Sequence, residues 1–293
     1  MGTTNKIHCT ATLLAIAFLT LGGCTANRYA ATNKQYKQRV KSLTEEMRRP
    51  LPYASPGLIT TYDSTGVANV TEASGSRRNA EWVGAIHFNL RKPNYVIIHH
   101  TAQDSLEQTL RTFTVPHTEV SAHYVIGRGG EVYQMLNDYL RGWHAGAGKW
   151  GSLTDLNSVS LGIELDNNGG EPFPEPQISA LLNLLDTLKR KYNIPTPNFI
   201  AHSDIAPGRK VDPSALFPWK RLAERGFGLW PDEELPVPPE NFNPEDALRI
   251  IGYDTGDLGA AIKAFKLHYI QHDVSAELTD HDLKVLYSLY LKR

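Results

Sequence analysis

Three short segments of this chain carry side chains whose types suit hydrolytic chemistry. The first runs Phe199-Ile200-Ala201-His202-Ser203-Asp204-Ile205-Ala206-Pro207-Gly208-Arg209-Lys210-Val211-Asp212-Pro213. It places a histidine, a lysine and an aspartate in one loop at the end of a short apolar run, where a rigid scaffold can converge them on a point. His202 and Asp212 can supply an imidazole and a carboxylate to a metal. The second is Ile97-Ile98-His99-His100-Thr101. Alternation along a strand sends His99 and His100 to opposite faces, so at most one of them looks into any given site. The third is Leu161-Gly162-Ile163-Glu164-Leu165-Asp166. A carboxylate inside such an apolar strand is costly unless it is paired or used. Together these residues offer two imidazoles and one carboxylate with a fourth position open, a pattern of catalytic zinc sites. They add a glutamate able to move a proton and a lysine able to face a developing oxyanion.

The elements that must position them follow from periodicity. Tyr95-Val96-Ile97-Ile98 reads as a buried strand, and Val159 to Leu165 as another. His123 to Ile126, a Gly-Arg-Gly-Gly turn and Glu131 to Tyr133 read as a β-hairpin. Asp104 and Glu107 have the spacing of a capping box, with Leu106, Leu110 and Phe113 on the following helical face. Ile178, Leu181, Leu182, Leu185, Leu188 and Tyr192 make an amphipathic helix that stops before Pro195, and Asn198 to Ala201 is a short strand. The expected class is α/β, with a mixed central sheet flanked by helices. After five prolines between Pro231 and Pro244, three apolar sets with helical spacing predict a small C-terminal three-helix module. These are Leu248 and Ile251; Leu258, Ile262, Phe265 and Tyr269; and Leu283, Leu286, Tyr287 and Tyr290. Alone it would be marginal, so docking on the larger domain is expected.

The N-terminus gives a different kind of signal. Lys6 precedes a short apolar run from Ala11 to Leu19, followed by Leu21-Gly22-Gly23-Cys24. The run is too short for a permanent membrane span, and the small residues before a cysteine resemble a bacterial lipobox, with Cys24 the acylated residue. Ala26 is not the aspartate associated with inner-membrane retention, so sorting rules point to the periplasmic side of the outer membrane. Besides Cys24 the chain has only Cys9, inside the signal, which leaves the mature chain no disulfide. The expected layout is residues 1–23 signal peptide, 24–80 tether and extension, 81–230 catalytic domain, 231–243 linker and 244–293 helical domain. A helical piece is expected around Gln35 to Met47, and no firm element is placed from Pro50 to Ala80. With a formal net charge of -1, there is no basic excess to suggest nucleic acid as a partner.

The three site segments resemble the zinc-dependent N-acetylmuramoyl-L-alanine amidases, the family of phage lysozyme-type amidases and peptidoglycan recognition proteins. The resemblance implies one Zn2+ per chain on His99, His202 and Asp212, with Glu164 as acid/base and Lys210 as the cation on the oxyanion side. It implies a peptidoglycan or muropeptide substrate, cut between N-acetylmuramic acid and L-alanine. It also places Gly142-Trp143-His144-Ala145-Gly146 beside the cleft, making Trp143 and His144 candidates for substrate contact. Where the phage enzymes carry a tyrosine before the histidine that opens this strand, this chain has Ala122. The C-terminal helices resemble a small peptidoglycan-binding domain. The chain is taken as a monomer, held to a membrane through Cys24. The rival expectations are a non-catalytic peptidoglycan-binding lipoprotein and another type of zinc hydrolase; the absence of His-Glu-x-x-His disfavours one large peptidase class.

Overall fold

In the computed structural model, residues 28–48, the strand backbones within 52–79, and residues 87, 90 and 92–293 are described. Cys24 and the rest of the signal segment lie outside the described residues. The chain divides into two units, residues 1–85 and 86–293. In the first, helix α1 (Ala30–Met47) buries none of its residues. Strand β1 (Pro52–Ala54) pairs antiparallel with β4 (Arg77–Asn79), and β2 (Gly57–Tyr62) with β3 (Ala68–Ala73). The sequence reading placed no element in this stretch. Its β-branched and aromatic residues, such as Ile59-Thr60-Thr61-Tyr62, favour strands but are diluted by Pro, Gly and Ser. No helix among the described residues is long and apolar enough to cross a membrane.

The second unit is built on a five-stranded sheet. Its strands are β5 (Tyr95–His100), β6 (Tyr124–Ile126), β7 (Val132–Gln134), β8 (Ser160–Leu165) and β9 (Phe199–Ala201), in the order β7-β6-β8-β5-β9. All pairings are parallel except the β6-β7 hairpin. Because a parallel sheet must be covered on both faces, its central strands are mostly apolar, and β8 is buried at every position, whereas the edge strand β7 is largely exposed.

Alternate side chains feed two cores. Val96, Ile98, Leu161, Ile163 and Leu165 pack with helix α3 (Glu175–Tyr192), whose apolar stripe is the one read from the sequence, all six residues buried. Helix α2 (Leu106–Thr112) covers part of the carboxyl end of the sheet. Its cap is Ser105, whose hydroxyl accepts from the Gln108 backbone N–H, one residue later than the expected Asp104-Glu107 box. The Gln108 side chain accepts from the Asp104 backbone N–H, one residue before the cap, so the reciprocal bond of a capping box is not made.

On the opposite face, Ile97 and Ile200 belong to a core completed by the C-terminal helices. The short helices α4 (His202–Ile205) and α5 (Trp219–Glu224) lead towards α6 (Pro244–Ile251), α7 (Leu258–Tyr269) and α8 (Asp280–Tyr290). Leu248, Ile251, Ile262, Phe265 and Leu286 are buried with Ile97, Ile200 and Ile205 in one cluster. The register of α8 departs from expectation: Val285, Leu286 and Leu289 form its buried face, while Leu283 and Tyr287 are half-buried. Asp282, on the same face, is buried because it pairs with Lys266. That lysine is wholly buried, and Asp273, Ser275 Oγ and the Glu277 carbonyl also accept from its ammonium. Such full pairing is what makes a buried charge tolerable. It pins the segment between α7 and α8.

Sharing one core with the sheet removes the marginality of a fifty-residue helical module. Phe265→Ala should therefore cost about 3–5 kcal/mol in urea unfolding. Tryptophan fluorescence and far-UV circular dichroism should still report one coincident transition; helices melting ahead of the sheet would contradict the shared core.

Candidate active site

The register of the parallel strands builds the site. The β5-β8 ladder pairs His99 with Glu164, and the β5-β9 ladder pairs Ile98 with Ala201, so His202 follows beside His99. Glu164, His99 and His202 therefore form a row across three neighbouring strands at their carboxyl ends, where open α/β sheets hold ligands. Asp212 arrives from the loop after α4. Its carbonyl accepts from the Ser203 backbone N–H at 2.9 Å, and the Ser214 backbone N–H donates to His100 Nδ1 at 3.1 Å. The second histidine of the pair thus anchors the aspartate's backbone from the other side of β5.

Three donor atoms meet at one point. His99 Nδ1 lies 3.0 Å from His202 Nδ1 and 3.1 Å from Asp212 Oδ2, and His202 Nδ1 lies 3.0 Å from the same oxygen. All three residues are buried. Ligands of a tetrahedral ion with bonds of about 2.0–2.2 Å sit about 3.3 Å apart, so the cluster has the spacing of a metal site. Two facing imidazole nitrogens and a carboxylate oxygen form a donor set that a cation satisfies better than the one proton two nitrogens can share. Among the described residues this is the one His/Asp/Glu/Cys cluster able to hold a metal.

Burial, reinforced by His202, holds His99 at about 4, so its ring is neutral. Burial alone would raise Asp212, but its hydrogen bonds to His202 and His99 outweigh that and keep it below the usual carboxylate range. Neutral imidazole beside ionised carboxylate is the protonation state that binds metal. Glu164 behaves oppositely. Burial, then the neighbouring Asp212 charge, push it up to about 8, against the pull of Lys210. Its Oε1 stands 4.0 Å from His99 Nδ1.

These residues open into a cleft of about 500 Å³. Lys210 is half-buried in its wall, and Trp143, 52% exposed, lines it with Val120 and Val211. His144 also borders the cleft but is buried, with Nδ1 3.2 Å from His99 Nε2. Ala122 is fully buried in the core, away from the cleft lining.

One supporting residue pair has no signal in the sequence. Asp204, two positions after His202, accepts from the Ala201 backbone N–H at 2.8 Å and lies 2.7 Å from His268 Nδ1. Its other oxygen accepts from Tyr253 OH at 2.7 Å. The C-terminal helices thereby grip the turn that presents His202. A separation of 64 residues leaves no local spacing by which to find the contact.

The raised Glu164 predicts a pH effect on the metal-free protein. Its neutral form favours the fold, a contribution present below the ordinary 4.5 and lost as pH rises through about 8. Glu164→Gln should then melt higher than the parent at pH 9, the difference vanishing near pH 4. Equal melting temperatures at pH 9 would show the carboxylate is not strained there.

Residues 89–215 match the family model described as N-acetylmuramoyl-L-alanine amidase. N-acetylmuramoyl-L-alanine amidase AmiD of Escherichia coli K12 is 38% identical over 155 residues, 47% of this chain and 55% of that protein. The 1,6-anhydro-N-acetylmuramyl-L-alanine amidase AmpD of Haemophilus influenzae is 36% identical over 103 residues, 35% of this chain and 56% of that protein. The matched region thus spans about half the length of these curated relatives. Among solved structures, AmpDh3 of Pseudomonas aeruginosa superposes with a TM-score of 0.63 at 26% identity, covering 72% of this chain and 96% of that one. E. coli AmiD, in complex with anhydro-N-acetylmuramic acid-L-Ala-D-γ-Glu-L-Lys, gives 0.62 at 29% identity, covering 80% and 98%. The site residues His99, Glu164, His202, Lys210 and Asp212 all fall within the matched segment. Over that segment the chain is similar to the N-acetylmuramoyl-L-alanine amidases.

Proposed function

We propose that this protein hydrolyses the amide bond between the lactyl group of N-acetylmuramic acid and L-alanine, in peptidoglycan or its muropeptide fragments, with one Zn2+ per chain. The observation that carries the reading is the meeting of His99, His202 and Asp212 within 3.1 Å, with Glu164 beside them in an open cleft. The anhydromuramyl peptide held by AmiD supports the substrate class. A pure binding protein has no use for an acid/base beside such a cluster, which sets aside the non-catalytic alternative.

His99, His202 and Asp212 would hold the ion. Bound zinc supplies Lewis acidity towards a carbonyl and brings the acidity of a coordinated water near neutrality. Glu164, partly shielded and already raised, is suited to accept a proton from the attacking water and return it to the departing L-alanine nitrogen. Lys210, in the cleft wall, offsets the negative charge that grows on the carbonyl oxygen. Trp143, exposed at the rim, presents a flat apolar face on which a sugar or stem peptide can rest.

The lipobox motif supports a further part of the proposal: acylation of Cys24, holding the monomer on the periplasmic face of the outer membrane. Stable attachment then comes from acyl chains rather than a spanning helix.

Digestion of defined muropeptides, followed by product masses, tests the bond that is cut. Release of the intact stem peptide with a free L-alanine amine is expected, and a chelator should stop it. Glu164→Ala should retain zinc while turnover falls at least about 100-fold, and Lys210→Ala should lose about 100-fold in kcat. Cleavage within the peptide, or full activity in Glu164→Ala, would overturn the assignment. Cys24→Ala should move the protein from the membrane to the soluble fraction; unchanged fractionation would refute the anchor.

A further inference from the structure

His144 borders the cleft, yet its surroundings fit another task. Its backbone N–H and that of Ala145 both donate to Asn157 Oδ1, at 3.0 and 2.9 Å, which fixes the loop from a buried side chain. The ring then lies flat over Gly162 of β8. A Cβ there would stand 2.4 Å from His144 Cγ, so no larger residue is compatible with this placement. Gly142 is tight in the same way, a Cβ meeting His123 at 2.8 Å and His144 at 3.2 Å. His144 packs edge-on between two further imidazoles, His99 at 5.3 Å and His123 at 5.6 Å between ring centres. A side chain meant to meet substrate is not usually walled in by a clamp, two glycines and two rings.

The hydrogen bonds have a direction. His99 turns Nδ1 towards His202 and Asp212, and Nε2 towards His144 Nδ1 at 3.2 Å. A cation on Nδ1 leaves the ring proton on Nε2, so His99 donates and His144 Nδ1 accepts. His144 then carries its own proton on Nε2, facing Ser160 Oγ at 3.5 Å. That hydroxyl donates onward to the Leu156 carbonyl, leaving its lone pairs free for the imidazole N–H. An acceptor on the far nitrogen of a metal-bound imidazole fixes its tautomer and orientation and raises its basicity.

We propose that His144 is a positioning residue for the metal, holding His99 in the tautomer and rotamer that present Nδ1 to the ion. This rests on the reading of His99, His202 and Asp212 as metal ligands. Nothing in it depends on which amide is cut.

The test uses the full chain and zinc alone as probe. Zinc affinity is measured by competition with a chromophoric chelator in the parent, His144→Leu and His144→Asn. Leucine has no acceptor, whereas the Asn Oδ1 falls where His144 Nδ1 lies. The parent should bind one equivalent. His144→Leu should bind about 10–100-fold more weakly, and His144→Asn should recover most of that loss. At saturating zinc, His144→Leu should keep the parent's KM, because the residue does not hold substrate. Parental zinc affinity in the leucine variant, or an asparagine variant as weak as leucine, would overturn the inference. So would a raised KM with unchanged affinity, which would make His144 a substrate contact. A parent that binds no zinc would instead refute the ligand reading itself. If the leucine variant does not fold, 15N NMR of the zinc-loaded parent decides: a coupling across the His99 Nε2–H to His144 Nδ1 bond is expected, and its absence, with Nε2 unprotonated, would refute the proposal.

Discussion

The structure is organised around an arrangement that is unfavourable by itself: two imidazole nitrogens and an ionised carboxylate oxygen, buried and about 3 Å apart. Lone pairs held this close repel, and the carboxylate has given up most of its water. A cation turns the repulsion into coordination. The fold must therefore hold the three groups together by other means until the ion arrives. It does so with strand register for His99 and His202, and with backbone hydrogen bonds on both sides of Asp212.

That requirement explains the use of the second sheet face. The row Glu164-His99-His202 stands at the carboxyl ends of β8, β5 and β9, and the remainder of this face is closed by α6, α7 and α8. Tyr253, from the turn after α6, and His268 of α7 reach Asp204, and Asp204 caps the backbone just before His202. The helices act as a brace for the ligand turn whatever else they bind. Below the ligands, the packed trio His99, His144 and His123 restricts ring rotation where a tilt would break the triangle.

Much of this was legible in the sequence. Continuous β-branched runs mark strands buried on both faces, and chemistry follows where such runs end in His or carry an isolated Glu. Thus His99, Glu164, His202 and Asp212 could be grouped although His99 and Asp212 are 113 positions apart. Period-2 alternation separated His99 from His100, and the structure gives the latter a backbone-anchoring bond instead. The unread parts depend on packing between distant segments. Nothing local says that Gly162 is small to admit His144, or that His268 will find Asp204. The strands between residues 52 and 79 were masked by turn-forming neighbours, and the α2 cap shifted because Ser105 competes with Asp104 for the same role.

The central claim is that one ion is held by two imidazoles and one carboxylate, with a position left for solvent. X-ray absorption at the zinc edge of the loaded protein tests it most directly. The account predicts four nitrogen or oxygen neighbours at about 2.0–2.1 Å, with the outer-shell scattering of two imidazoles. Scattering from three imidazoles, or a six-coordinate ion bound only by oxygen, would contradict it.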